Sequence, residues 1–443
     1  MRKHLREQTV MFMSIVKWTI LAAATGALVG AGVHYFISAL DLSSRLAASL
    51  PYYYLALPFA FVASILLVQR FAPNAKGHGT EKVIEAVHKK SGRIEPKVIP
   101  VKVLATIITI AAGGSVGKEG PSAQIGSGLA SLLADFLKLD DHDRRKIVIC
   151  GISAGFAAVF GTPIAGAIFG IEILFIGRIL YDVLLPSLVA GIMSYEVTTA
   201  LGTVPFHDTL TTLPKSFNFP LFFLAGLVFG LTALLFIKSL AYIEHRVDQI
   251  KIAKPWKGVI GGFILIGLVS IFHTTYLGLG TKTLESALQG ESLPWYAFLA
   301  KILFTDITLA FGGSGGVIAP MFFVGSTAGH TFATIFGADP KLFSAMGMVA
   351  IVAAAANAPI SAILMASEIF GPAVLLPAAI ISSISFLING HNSIYPSQIL
   401  AMKKSLSLDV EVGEEIRDVT ASLAPHHPKV IAQMNKVRSS LSQ

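Results

Sequence analysis

Residues 112–128 read AGGSVGKEGPSAQIGSG. A carboxylate, Glu119, and the amine of Lys118 sit there among glycines, with apolar runs close on both sides. Ionisable side chains at membrane depth are costly and mark functional sites by default. The weight of this acid therefore depends on whether the surrounding chain belongs in a bilayer.

Composition places it there. Of 443 residues, 53% are hydrophobic and 14% charged, with a mean hydropathy of +0.70; soluble domains carry about 25% charged residues. The clearest apolar stretches are Met13–Leu40, Tyr54–Leu67, Leu221–Ile243, Val259–Phe272 and Ala373–Ile388. A helix needs about 20 residues to cross hydrocarbon. Several stretches are shorter and others are broken by Gly or Pro, which predicts a polytopic protein with half-length or re-entrant helices.

The net charge of +8 is concentrated in short polar segments: residues 2–6, Lys76–Lys102, Arg144–Lys146, Arg246–Lys257 and Lys403–Lys404. The segments 41–53, 202–218 and 273–295 are poor in Lys and Arg. The positive-inside bias puts both termini and the basic loops in the cytoplasm of a multi-pass cell-membrane protein. The lipid bilayer, and no nucleic acid, is the expected partner. The first apolar run reaches about Leu40, well past a signal-peptide core, so a retained helix is expected. A single cysteine, Cys150, excludes an intrachain disulfide.

The chain also repeats itself. GGSVGKEGPSAQIGSG (113–128) aligns with GGSGGVIAPMFFVGST (312–327), pairing Gly113 with Gly312 and Pro121 with Pro320, 199 residues on. FAAVFGTPIAGAIFGIEI (156–173) aligns with VAAAANAPISAILMASEI (352–369), pairing Pro163 with Pro359 and Glu172 with Glu368 at an offset of 196. Matching Gly/Pro-interrupted segments in two halves of a membrane chain point to a transport site at the repeat interface.

Two other readings of the glycine blocks fail. GGSVG and GGSGG satisfy the G-x-S-x-G of a hydrolase elbow, which requires a preceding strand and later Asp and His partners. GGSVGKE approaches a phosphate-binding loop, but it is one residue short and puts Glu119 where a hydroxyl is needed. Helices that begin at exposed glycine amides, however, turn a positive dipole end toward a cavity. One such start per repeat makes an anion cradle of partial charges, from which an anion can leave more readily than from Lys or Arg.

The ordered motifs resemble the CLC family of chloride channels and chloride/proton antiporters, over nearly the whole chain to about residue 402. GKEGP (117–121) is that family's second signature, and GVIAP (316–320) its third, with Ile318 where Phe is usual. GHGTE (77–81) meets the first only loosely, with His78 at the serine position, and SIYPSQIL supplies a late tyrosine, Tyr395. The resemblance implies an all-α bundle of many tilted and half-spanning helices with inverted repeats near 1–205 and 206–402. It also implies a short cytoplasmic tail, 403–443, and a homodimer with one pathway per subunit, with neither cofactor nor enzymatic activity.

By the same resemblance, Glu119 is the gating glutamate, competing with chloride when ionised and swinging away when protonated. Amides of Lys118, Glu119 and Gly120 form the outer part of the anion cradle, and those of Val317 and Ile318 the central part. Tyr395 donates its phenol from the cytoplasmic side. His78 replaces a neutral hydroxyl with an imidazole, which either makes the inner anion site pH-dependent or turns away and leaves a glycine amide in its place.

The antiporters of this family usually carry an internal proton-accepting glutamate at the position occupied here by Ile173, directly after Glu172. Chloride/proton exchange is placed first; a passive voltage- or pH-gated chloride channel and a fluoride/proton antiporter stand beside it. The fluoride reading comes after the channel because that branch usually departs from Pro121. A membrane-embedded enzyme or scaffold built on the Gly-Ser elements is the reading outside transport. Glu172 and Glu368 are expected to act structurally at helix ends. VEVGEEIRDV (410–419) suggests a short helix in the tail, and His426–His427 is too little for a metal site.

Overall fold

The computed structural model describes residues 2–204 and 218–423. Among them lie sixteen α-helices: α1 (Arg2–Ala48), α2 (Leu57–Phe71), α3 (Thr80–Lys89), α4 (Val98–Ala111), α5 (Glu119–Phe136), α6 (Asp141–Phe160), α7 (Pro163–Glu172), α8 (Leu184–Ala200), α9 (Phe219–Gln249), α10 (Lys254–Phe272), α11 (Thr281–Leu288), α12 (Ala297–Ala310), α13 (Ile318–Phe336), α14 (Pro340–Ala355), α15 (Pro359–Phe370) and α16 (Leu375–Ile388). The described strands are two-residue pieces. β1 (Phe175–Ile176) pairs parallel to β2 (Ile399–Leu400), and β3 (Leu408–Asp409) pairs antiparallel to β4 (Ser422–Leu423).

Five described helical segments are long and apolar enough to cross a membrane: Arg6–Ala48, Tyr53–Phe71, Tyr181–Ala200, Phe219–Gln249 and Lys254–Phe272. Tyr181–Ala200 escaped the sequence reading because Asp182, Glu196 and several hydroxyls dilute it. Ala373–Ile388, read as a span, lies in the shorter apolar helix Pro372–Ile388. Other apolar helices have only 10–17 residues. α7, α14 and α15 each carry proline in the first turn, where its missing N–H costs nothing.

The repeat is visible in three dimensions. α4, a glycine loop and α5 correspond to α12, a glycine loop and α13. Both loops open on a left-handed glycine, Gly113 at φ 100° and Gly312 at φ 103°. Gly113 lies against Tyr53 and Leu277, by the start of α2, whereas Gly312 lies against Ile65 further along that helix. The loops therefore enter from opposite ends, as an inverted repeat requires. They are sewn together reciprocally: Ser115 N donates to Thr308 Oγ1 and Ser314 N to Thr109 Oγ1, both at 3.0 Å.

A second exchange ties the halves. Glu172, at the end of α7, accepts from Ile360 N and Ser361 N at 3.1 and 2.8 Å. Glu368, near the end of α15, accepts from Ile164 N and Ala165 N at 2.9 and 2.7 Å. Each repeat's glutamate thus closes the other's helix N-terminus, satisfying donors that have no intrahelical partner.

The tail differs from expectation. VEVGEEIRDV does not form an α-helix; Gly413 takes φ 97° and donates to Leu400 O at 2.7 Å, and a 3-10 turn covers Ile416–Asp418. Lys404 Nζ anchors the segment to Asn357 Oδ1 and Phe386 O at 2.7 Å each. His426–His427 fall outside the described residues.

Glu172→Ala leaves the buried amide of Ser361 and the part-buried amide of Ile360 unanswered. A loss of about 1–3 kcal/mol is expected, read as a lower melting temperature in detergent relative to the parent protein.

Candidate functional site

The centre of the molecule is a two-bond bridge between the glycine loops. Gly117 N donates to Gly316 O at 2.7 Å, and Gly316 N to Gly117 O at 2.6 Å. α5 and α13 start immediately afterwards, so the bridge holds their N-termini face to face. Neither capping residue, Lys118 or Val317, supplies a side-chain cap. The first-turn N–H groups therefore point into the gap with the positive ends of two dipoles.

One anionic group already sits there. Glu119 is 5% exposed, and its Oε2 accepts from Ala319 N at 3.1 Å. The acid of the first repeat thus lies on the helix start of the second, and it also faces the amides of Lys118 and of Glu119 itself. Chemically the carboxylate is the anion of this cradle, bound by the donors that a small inorganic anion would use.

The inner wall comes from two further segments. His78 and Gly79 lie against Gly120 so closely that a Cβ on either Gly79 or Gly120 would collide with the other strand's backbone; Gly79, at φ 82°, permits this approach. Thr80 opens α3 at this point. Tyr395 is fully buried and faces Thr80, within electrostatic reach of Glu119. Thr80 Oγ1 and Tyr395 Oη are both buried without a hydrogen-bond partner among the described residues. Their backbone is fixed from behind, since Ser393 Oγ accepts from Tyr395 N at 2.9 Å and Glu81 Oε1 accepts from Ser397 N at 3.1 Å and from Ser397 Oγ at 2.5 Å.

The structure thus assembles Glu119, Gly120, Val317, Ile318 and Tyr395 around one buried centre. Lys118 contributes backbone, while its side chain is only half-buried. The His78 backbone joins this group, but its ring turns to α9, with Nε2 3.5 Å from Glu244 Oε1 and Nδ1 buried without a partner among the described residues. At Ile173 there is no acid: the residue is buried at the end of α7, where its carbonyl accepts from Gln398 Nε2 at 2.7 Å. The hydrolase pattern also fails structurally, since helix α4 precedes GGSVG and Ser115 Oγ pairs with Thr305 Oγ1 at 3.1 Å.

Sequence reasoning missed the two lysines that hold the loops. Lys102 and Lys301 are fully buried. Lys102 Nζ donates to Gly77 O at 2.6 Å and Ser314 Oγ at 3.2 Å, tying the His78 loop to the second glycine loop. Lys301 Nζ donates to Gly278 O at 2.8 Å and Tyr276 O at 3.2 Å on the opposite side. The signal was available: these lysines are 199 residues apart, the offset of the glycine blocks.

A gap between facing helix starts, plugged by a carboxylate, defines an anion-handling membrane protein. Residues 59–390 match the family model described as voltage gated chloride channel. The chain is 33% identical over 407 residues to a "Chloride/fluoride channel protein" of Pseudomonas syringae pv. tomato, covering 90% of each. It is 27% identical over 411 residues to the "H(+)/Cl(-) exchange transporter ClcA" of Vibrio cholerae, covering 86% of each. Among solved structures, it matches a CLC-type fluoride/proton antiporter with a TM-score of 0.82 at 28% identity, covering 87% of this chain and 98% of that one. A slow cyanobacterial Cl-/H+ antiporter shares the fold at a TM-score of 0.73 and 24% identity, with 84% of this chain and 94% of that one covered. The chain belongs to the voltage-gated chloride channel family, CLC.

A Cβ on Gly316 would lie 2.7 Å from Gly120 N. Gly316→Ala is expected to cut anion flux in liposomes about tenfold or more. Gly267→Ala, where a Cβ meets nothing within 4 Å, is expected to leave it near the parent rate.

Proposed function

We propose that this chain carries chloride across the cell membrane along one pathway per subunit, gated by Glu119 and coupled to protons as chloride/proton exchange. The observation that carries the reading is the Glu119 carboxylate on Ala319 N. A carboxylate and a chloride compete for the same amide donors at the start of α13. Protonation removes the charge that the two helix dipoles hold, so the side chain can leave and an anion can take its place. Because the donors are mostly backbone dipoles and hydroxyls, binding stays weak enough for release.

Chloride and protons are thus the proposed cargo, and transport rather than catalysis the activity. The names of the relatives support anion movement and include proton exchange, with fluoride as the second anion to test. Thr80, Tyr395 and the amide of Ile318 are read as the central anion site, and the amides of Lys118, Glu119 and Gly120 as the outer one. The side chain of Ile318 affects pathway width rather than the donor set. Residues 1–402 are read as the transport unit and 403–443 as its tail, with both termini in the cytoplasm. A homodimer is proposed from the family resemblance, with apolar faces carrying exposed Ile192, Ile360 and Leu387 available for helix packing or lipid.

Purified protein in liposomes at a clamped potential tests this directly. Chloride efflux with uphill proton movement under a chloride gradient is expected, and Glu119→Gln should abolish the proton component. Chloride flux without proton movement would leave the passive channel; fluoride moving far faster than chloride would replace the cargo; no ion flux at all would return the enzyme or scaffold reading.

A further inference from the structure

Exchange needs a group that takes protons from the cytoplasmic side and passes them toward Glu119, and Ile173 is not one. The acids behind the pathway are unequal candidates. Both oxygens of Glu172 and of Glu368 are engaged by helix N-termini. Glu81 accepts from Ser397 N and Oγ and lies 3.5 Å from Arg417. Each of these three carboxylates is committed to donors that brace the frame.

Glu244, on α9, is held differently. Its side chain is 41% exposed, and its ion-pair partner among the described residues is the His78 imidazole. It lines a cavity of about 390 Å³ with Lys76, Asp248, Lys254 and Lys257, which extends inward to Gly77 and Ser314. These lysines belong to the basic loops assigned to the cytoplasm. Glu244 thus has water on one side and an imidazole, 9% exposed in its side chain, on the other. The backbone of that histidine packs on Gly120, the neighbour of Glu119.

We propose that Glu244, acting through His78, is the intracellular proton acceptor of this chain; the inference rests on the exchange reading above. A proton from cytoplasmic water adds to the Glu244 carboxylate and passes to His78 Nε2. Once the buried ring turns from α9 toward the anion pathway, the imidazolium releases its Nδ1 proton, which ends on the Glu119 carboxylate. Imidazole suits this step because its two nitrogens can accept and donate separately. The charged groups around the pair are Lys76 and Asp248 in the cavity, Glu81 on α3, and Asp306 on α12. Asp306 is fully buried and faces Glu244 and Ser239.

The test compares protons moved per chloride in liposomes containing the parent protein, Glu244→Gln, His78→Gln, Glu244→Asp and Asp248→Asn. The ratio is expected to fall several-fold in Glu244→Gln and His78→Gln, to recover in Glu244→Asp with a shifted pH profile, and to hold in Asp248→Asn. Parent-like ratios in both Glu244→Gln and His78→Gln would overturn this assignment while leaving exchange intact. A parent protein that moves chloride without protons would overturn the exchange reading and the acceptor together.

Discussion

The hydrogen-bonded pair Gly117–Gly316 is the constraint on which the rest of the structure depends. Each residue donates to and accepts from the other, and this fixes two helices, α5 and α13, start to start across the middle of the molecule. Helix starts expose N–H groups that hydrocarbon cannot satisfy. The neighbouring chain must therefore answer those donors or line a polar pathway with them. This fold does both, closing α7 and α15 with Glu368 and Glu172 and giving α13 the carboxylate of Glu119.

The same logic separates the fixed acids from Glu119. Glu172 and Glu368 each satisfy two amides of a helix start in the other repeat. Glu119 is near the start of its own helix and reaches a single amide of the facing one at 3.1 Å. The buried lysines follow a similar division. Lys102 and Lys301 spend their N–H donors on carbonyls and a hydroxyl of the loops. These buried amines thereby brace the frame, while the cradle itself is built from dipoles. A pathway that must release its anion benefits from that arrangement.

Much of this was legible in sequence because the physical demands are local. Glycines flanking a lone acid, prolines at helix starts and repeat offsets of 199 and 196 residues all follow from helices that begin inside a membrane. The facing of the two glycine blocks followed from the repeat, and the place of Glu119 between them from the family resemblance. Other features depend on long-range contacts and left little trace. The His78–Glu244 pair joins residues 166 positions apart, on elements that the repeat does not relate. Tyr181–Ala200 was hidden by its polar residues, and the tail lost its expected helix to a single left-handed glycine, Gly413.

The central claim is that the Glu119 carboxylate and chloride compete for one set of donors. Thermodynamic reciprocity then requires chloride binding to draw in protons. Isothermal titration of chloride into the purified protein, repeated in buffers of different ionisation enthalpy, measures that uptake. The account predicts a buffer-dependent enthalpy that corresponds to net proton uptake in the parent protein and vanishes in Glu119→Gln. Chloride binding with an enthalpy independent of buffer in the parent protein would contradict it.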